Sequence, residues 1–148
     1  MEPFKIEHYE REFGKGSFCP WRTLPREEAF SLFAGLKTRL QLPDSAEGLH
    51  VVKHIADNSL VLPGIDAEDD NFDLNKILHS TGLSVPESVY LNWYWFDKVD
   101  EFRTCDLARY FEWIWYPSAD DTDIIDPELR WIISVSHHGL VSYMKLSI

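Results

Sequence analysis

Basic residues are scarce in this sequence: Lys and Arg number 14 against 25 Asp and Glu, which leaves a net charge of -11 at pH 7. Because neutralising phosphate needs clustered Lys and Arg, this shortage argues against direct binding of nucleic acid or of an anionic membrane surface. No apolar run approaches the roughly 18 residues that span a bilayer, and the start, MEPFKIEHYE, does not read as a secretory signal. We therefore expect a cytoplasmic protein that binds neither nucleic acid nor membrane.

Cysteine and catalytic motifs are also in short supply. Cys19 and Cys105 are far apart and have no metal-ligand spacing, so we expect two free thiols. The sequence contains no GxSxG, GxGxxG, GxxxxGK[ST] or HExxH pattern, which removes the common nucleophile, nucleotide and zinc motifs. These absences favour a protein that is not an enzyme and that carries no cofactor.

The chain is instead rich in acidic and aromatic side chains. With 45% hydrophobic and 14% aromatic residues, its 148 residues are predicted to fold as one domain, 1–148, rather than as a disordered acidic tail. Ten carboxylates fall in two groups. The first acidic cluster is Asp66, Glu68, Asp69, Asp70 and Asp73, and the second acidic cluster is Asp120, Asp121, Asp123, Asp126 and Glu128. Such a density of like charges lowers folding stability because the charges repel one another. A basic partner, a bound metal or a requirement for solubility would explain it.

The N-terminal half is predicted to be helical after a loop-rich lead-in over residues 1–24. Pro25, Glu27 and Glu28 favour a helix start, and apolar residues at helical spacing continue to Leu40 before Pro43 ends the helix. A second helix is predicted over 45–56, although 50–55 could also be a strand. A third helix is predicted to begin after the N-cap Asn71 and to end at Gly82.

The C-terminal half alternates with a period of two, which indicates strands. We predict strands over 89–96, 112–116, 131–136 and 140–146, a short helix over 104–110, and a hairpin turn at His138-Gly139. The second acidic cluster is predicted to lie in a loop over 118–127. Helices first and strands later predict an α+β fold, with N-terminal helices packed on one face of a C-terminal antiparallel sheet.

Carboxylate clusters raise the possibility of a hard metal ion, which takes oxygen ligands. A calcium loop starting at Asp121 would place Ile125 at a ligand position and Asp126 where the turn glycine belongs. His50 and His54 have i, i+4 spacing but lack the rest of a zinc motif. We therefore predict no metal site. A small carboxylate-dependent hydrolase, with or without a metal, is kept as the alternative function, and Glu112 is the acid whose aromatic neighbours would raise its pKa.

The C-terminal residues YLNW at 90–93, WYPSADDTDIID at 115–126 and WIISVSHHG at 131–139 resemble small bacterial immunity proteins of polymorphic or contact-dependent toxin systems. The resemblance covers about residues 88–148. It implies an antitoxin-like protein that binds a cognate toxin and blocks its active site, with no catalysis of its own. It supplies no contact residues.

The predicted interface combines steering charge with aromatic anchors. Electrostatic attraction to a basic toxin would accelerate association, and tyrosine is enriched among the residues that carry binding energy. The predicted partner-binding residues are Asp120, Asp121, Asp123, Asp126, Asp69, Asp70, Tyr94 and Tyr116.

Overall fold

The computed structural model describes residues 1–93 and 96–146, and over these it has five helices and seven strands. The helices are α1 (Pro3–Phe13), α2 (Arg26–Arg39), α3 (Gly48–Asn58), α4 (Leu74–Ser80) and α5 (Thr104–Ile114). The strands are β1 (Trp21–Thr23), β2 (Leu60–Asp66), β3 (Ser88–Asn92), β4 (Val99–Arg103), β5 (Thr122–Ile125), β6 (Trp131–Val135) and β7 (Leu140–Lys145).

The strands form one antiparallel sheet in the order β1-β4-β3-β5-β6-β7-β2. With helices mainly in the N-terminal half and most of the sheet in the C-terminal half, the α+β prediction is confirmed. The predicted strands 131–136 and 140–146 are present as β6 and β7. Of the predicted strand 89–96, the first part is present as β3, which ends at Asn92; residues 94 and 95 lie outside the described residues, and Phe96 has a positive φ of +66°. In the β6–β7 turn only Gly139 has a positive φ, +83°, whereas His138 does not.

Helices cover both faces of the sheet, which extends the prediction of a single covered face. Successive strand residues point to opposite faces. In β6, Trp131 and Ile133 join the core that contains residues of α4 and α5, whereas Ile132 joins the core that contains residues of α2 and α3. Ile124 and Ile125 of β5 divide in the same way. Strand β5, the central strand of the sheet, is consequently buried on both faces.

The predicted helix before Pro43 is confirmed as α2, and the predicted second helix is α3. Glu27 and Glu28 lie in the first turn of α2, where the helix dipole favours acids. Leu32 and Leu36 form the buried stripe of α2, whereas Phe30 is exposed. In α4, Asp73 rather than Asn71 is the N-cap, and its carboxylate accepts the N–H of Asn75 at 2.9 Å.

The predicted strand 112–116 and the predicted loop 118–127 are both wrong. In each case burial in the folded protein overrides the local sequence pattern. Residues 112–114 continue α5, because Phe111 and Ile114 reach the core at helical spacing. The predicted loop 118–127 contains β5, all four residues of which are buried. Its acidic side chain at Asp123 is tolerated there because neighbouring strands supply hydrogen-bond donors.

The lead-in over residues 1–24 is not loop-rich, because α1 and β1 together occupy Pro3–Phe13 and Trp21–Thr23. Pro3 fits the first turn, and Lys5 is buried at 1% exposure. The Lys5 ammonium forms an ion pair with Asp120, donates to the carbonyl of Ile114 at 2.7 Å and lies 4.2 Å from the centroid of the Trp93 ring. Burial lowers the pKa of Lys5, and the bond to Asp120 opposes that shift.

Further features of the described residues bear on the earlier predictions. Both cysteines are free, Cys19 buried and Cys105 exposed. Among the helices that the structure describes, none combines the length and the apolar character that crossing a bilayer requires.

Replacing Lys5 by Ala should destabilise the fold by about 3 kcal/mol, because it leaves Asp120 without its buried cation. The matched control is Lys98→Ala, which breaks an exposed pair with Glu2 at 3.9 Å and should cost less than about 0.5 kcal/mol. Urea unfolding of both variants measures the difference. Similar losses for the two variants would show that the Lys5–Asp120 pair does not anchor α1.

Candidate functional site

Three segments meet at one end of the sheet, which we name the acidic end: residues 66–73, residues 115–121 and the turn 136–139. The N–H of Ala67 donates to the carbonyl of Gly139 at 2.9 Å, and the N–H of Ser118 donates to the carbonyl of His137 at 2.8 Å. His137 in turn donates its N–H to the Asp121 carboxylate at 2.7 Å. These bonds bring exposed members of both acidic clusters to the same end of the molecule.

Gly139 allows the first segment to approach the turn. Its φ of +83° is strained for residues with a Cβ, and a Cβ built there would lie 2.1 Å from Asp66 Oδ1. Glycine is therefore required both by the backbone conformation and by the contact with Asp66.

The first acidic cluster is locally ordered, and all its acids except the half-buried Asp73 are exposed. Asp66, Asp69 and Asp73 each accept, at 2.9 Å, the backbone N–H two residues further along the chain. These turns hold Glu68, Asp69 and Asp70 exposed at the acidic end. The predicted residues Asp69 and Asp70 are thus available at the surface.

The structure separates the members of the second acidic cluster. Asp121 is exposed: its carboxylate accepts the backbone N–H of His137 at 2.7 Å and lies 2.9 Å from Nδ1 of the same residue. Glu128 is also exposed but lies outside the acidic end. Asp120 is half-buried against Lys5 and the N–H of Tyr116. Asp126 is fully buried and accepts from the Arg130 guanidinium. Asp126 and Asp123, which is also buried, therefore have interior roles that the sequence prediction of a steering loop did not include.

Of the two predicted tyrosine anchors, Tyr116 lies within the described residues. Tyr116 is half-buried against α1, where its hydroxyl lies 3.1 Å from Nδ1 of His8 and its ring meets Phe4 edge-on. Burial raises its pKa. Tyr94 lies outside the described residues.

A row of polar side chains crosses four strands on the face covered by α3. Strand register places Asn92 opposite Asp123, Asp123 opposite Ser134, and Ser134 opposite Ser142. Ser134 Oγ donates to Asp123 at 2.6 Å and Asn92 Nδ2 donates to it at 3.4 Å. The sequence could have indicated this site by the acidic Asp123 within the otherwise uncharged run Thr122–Ile125. The hydrogen-bond partners of Asp123 could not be predicted, because they depend on strand register.

Asp123 is the most perturbed acid of the site. Burial raises the pKa of Asp123 to about 6, although the hydrogen bonds from Ser134 and Asn92 oppose the rise. A carboxyl of this kind can change protonation near neutral pH.

A cavity of about 310 Å³ lies between residues 66–73 and α5. Acids from both segments line it, including Asp69, Asp70 and Glu112, together with Arg109. Phe72, Phe111, Trp115, Ala67, Glu68, Ala108 and Pro117 complete the lining. Glu112 therefore lies on an exposed helix face at this cavity and not on a strand.

Among residues 1–93 and 96–146, no group of three or more His, Cys, Asp or Glu side chains is arranged to hold a metal ion. The arrangement does present closely spaced negative charge beside aromatic surface, which suits recognition of a cationic surface. Comparison with protein-family models, curated proteins and solved structures finds no match to this chain.

Substituting Gly139 by Ala should cost about 2 kcal/mol, because in addition to the strain of a positive φ it displaces the Asp66 carboxylate from its bond with the N–H of Glu68. Gly16→Ala is the control: its φ is +80° but a Cβ there meets nothing within 4 Å, so about 1 kcal/mol is expected. Thermal and urea unfolding measure both. Equal losses would mean that the Gly139–Asp66 approach is not tight.

Asp123→Asn should stabilise the protein at neutral pH. The folded pKa of Asp123, about 6, lies above its ordinary 3.8, so its contribution to stability is fully present below pH 3.8 and is lost as pH rises through 6. Relative to wild type, the variant should gain about 2–3 kcal/mol between pH 4 and pH 7. Urea unfolding at pH 4, 5, 6 and 7 measures this gain.

Ser134→Ala sharpens the same test. The hydrogen bond from Ser134 lowers the pKa of Asp123, so its removal should raise that pKa further. The pH range over which the stability depends on Asp123 should therefore move upward. A difference between wild type and Asp123→Asn that stays constant from pH 4 to pH 7 would contradict the assignment of the titration to Asp123.

Proposed function

We propose that this chain is an immunity protein that binds a basic cognate toxin domain through its acidic end and blocks the toxin's active site without catalysing a reaction. The observation that carries the proposal is the meeting of exposed acids from both clusters at that end, through the contacts of Ala67 with Gly139 and of Asp121 with His137. The resemblance of residues 88–148 to immunity proteins names the class of partner.

Electrostatics supports association with a basic partner. Asp66, Glu68, Asp69, Asp70 and Asp121 are exposed in segments that touch one another, in a chain of net charge -11. A localised negative potential of this kind raises the rate of encounter with a positive surface, and salt screens the effect.

Shape and rigidity support a specific complex rather than a diffuse one. The cavity between residues 66–73 and α5 offers aromatic surface from Phe72, Phe111 and Trp115 beneath its acids. The aspartate turns and the Gly139 contact order these residues in advance, which reduces the entropy lost on binding.

In this proposal the exposed acids Asp69, Asp70 and Asp121 attract the partner at long range. Asp120, Asp123 and Asp126 instead accept hydrogen bonds from other groups of the protein. Tyr116 remains a predicted contact at the margin of the acidic end, because part of its ring is accessible.

The test is the double reversal Asp69→Lys, Asp70→Lys, measured against toxin domains encoded beside this chain. We expect the association rate at 20 mM salt to fall about tenfold or more and the deficit to shrink at 300 mM salt, because steering is screened. Rapid-mixing kinetics give the rates, and protection of cells expressing the toxin gives the biological outcome.

The matched control carries the same charge change at exposed acids elsewhere, Glu12→Lys with Asp57→Lys, on α1 and α3. Its association rate should fall much less than that of the first double variant. Equal effects of the two double variants would show that net charge alone matters and would remove the acidic end as the interface. Failure of wild type to bind or protect against any adjacent toxin would overturn the function.

A further inference from the structure

A second cavity, of about 370 Å³, lies on the other side of the acidic end, between α3 and the sheet. Its walls are apolar: α3 contributes Leu49, Val52 and Ala56, β2 contributes Val61, and β7 contributes Leu140. Three of these are unusually open for large apolar residues, with exposures of 60% for Leu49, 52% for Val61 and 50% for Leu140.

The floor of this cavity is polar. Asp123, Ser134 and Ser142 of the cross-strand row line it, and Asp121 and Ser136 line the part nearest the acidic end. A carboxylate at the base of an apolar-walled cavity is an amphipathic environment with a negative inner end.

We propose that this cavity accepts an ammonium or guanidinium group on an aliphatic stem, supplied by a lysine or arginine side chain of the basic partner. The assignment of the partner rests on the proposed function; the chemistry of the cavity does not.

Burial and charge at Asp123 favour such an occupant. Burying a carboxylate is expensive unless it is paired, and among residues 1–93 and 96–146 the hydrogen bonds to Asp123 come from the Ser134 hydroxyl at 2.6 Å and from Asn92 at 3.4 Å. A cation would supply the missing charge. A hydrogen bond from this cation would join two opposite charges and would be stronger than the two bonds from the neutral donors Ser134 and Asn92.

The walls match the rest of a basic side chain. The methylenes of lysine and arginine lie along apolar surface while their heads seek polar groups, and here the polar groups are at the inner end. Contacts buried in pockets with an apolar rim that excludes water carry much of the energy of protein interfaces. Leu49, Val61 and Leu140 form such a rim. The cavity also shares Asp121 and Ser136 with the acidic end, so one partner can reach both.

The direct test is an NMR titration of the whole protein with N-acetyl-lysine methylamide at pH 7.5. We expect saturable shifts of the backbone amides of Val52, Ser134 and Ser142. N-acetyl-norleucine methylamide has the same stem without the ammonium and should bind about tenfold more weakly or worse. Norleucine binding as well as lysine, or no saturable shift at these amides, would overturn the proposal.

Asp123→Asn should weaken lysine binding about tenfold or more, since it removes the charge that pairs with the ammonium. Asp57→Asn, at an exposed acid of α3 outside the cavity, is the control and should leave binding within about twofold of wild type. The spectrum of each variant reports its folding in the same experiment. Unchanged lysine binding by Asp123→Asn would refute the role of Asp123.

A third probe, n-hexylamine, separates a side chain from a free amine. Comparable affinity for hexylamine and the capped lysine agrees with a site for the side chain. Binding of hexylamine more than about tenfold tighter would point to a small amine as the occupant and would overturn the partner assignment.

Failure of this inference differs from failure of the proposed function. With a toxin that binds wild type, Asp123→Asn should accelerate dissociation about tenfold or more and leave association nearly unchanged, unlike the reversal at Asp69 and Asp70. Unchanged dissociation would refute the partner's side chain as occupant while leaving the immunity function intact. Absence of any toxin binding would remove the function, and the lysine and norleucine probes would still decide the chemistry of the cavity.

Discussion

The buried ion pair between Lys5 and Asp120 is the interaction on which the arrangement of the molecule depends. It joins α1 to the segment that enters the central strand β5, and the same ammonium also binds the last carbonyl of α5. A second ionic contact, between the Met1 amino group and Asp100, ties α1 to β4. Because a buried charge left alone is far more costly than a paired one, these contacts set where the first helix lies on the sheet.

Acidic side chains divide into two populations with different physical roles. Asp100, Asp123 and Asp126 are buried. Asp100 and Asp123 accept hydrogen bonds from neighbouring strands or the residues next to them, and Asp126 accepts them from Arg130, four residues further along the chain. The exposed acids at 66–70 and Asp121 occupy turns that meet at one end of the sheet, where repulsion is tolerated because water solvates them. The exposed acids carry the part of the net charge of -11 that a partner senses at long range, whereas the buried acids are paired within the fold or, at Asp123, face a cavity.

The acidic end lies between two cavities on opposite sides. One, beside α5, combines acids with aromatic surface; the other, beneath α3, has apolar walls and a buried carboxylate. Charge on the loops suits the long-range part of recognition, and the cavities suit the short-range part. Both parts lie close together because the turn at Gly139 contacts residues 66–68 on one side and follows the strand that bears Ser134 on the other.

Composition and periodicity by themselves determined the α+β class, the α2 helix before Pro43, the β6 and β7 strands and the exposure of the first acidic cluster. These depend on local rules: helix and strand periods, helix caps, and the preference of turns for Asp and Gly. Only the tertiary structure decided that Asp123 and Asp126 are interior, that residues 112–114 continue a helix, and that a polar row runs from Asn92 to Ser142. The burial of Asp123 and the polar row depend on strand register, because Asp123 and Ser134 lie 11 positions apart in the chain and meet only when the sheet assembles. The burial of Asp126, whose partner Arg130 is near in the chain, and the helical state of residues 112–114 depend on packing within the assembled fold.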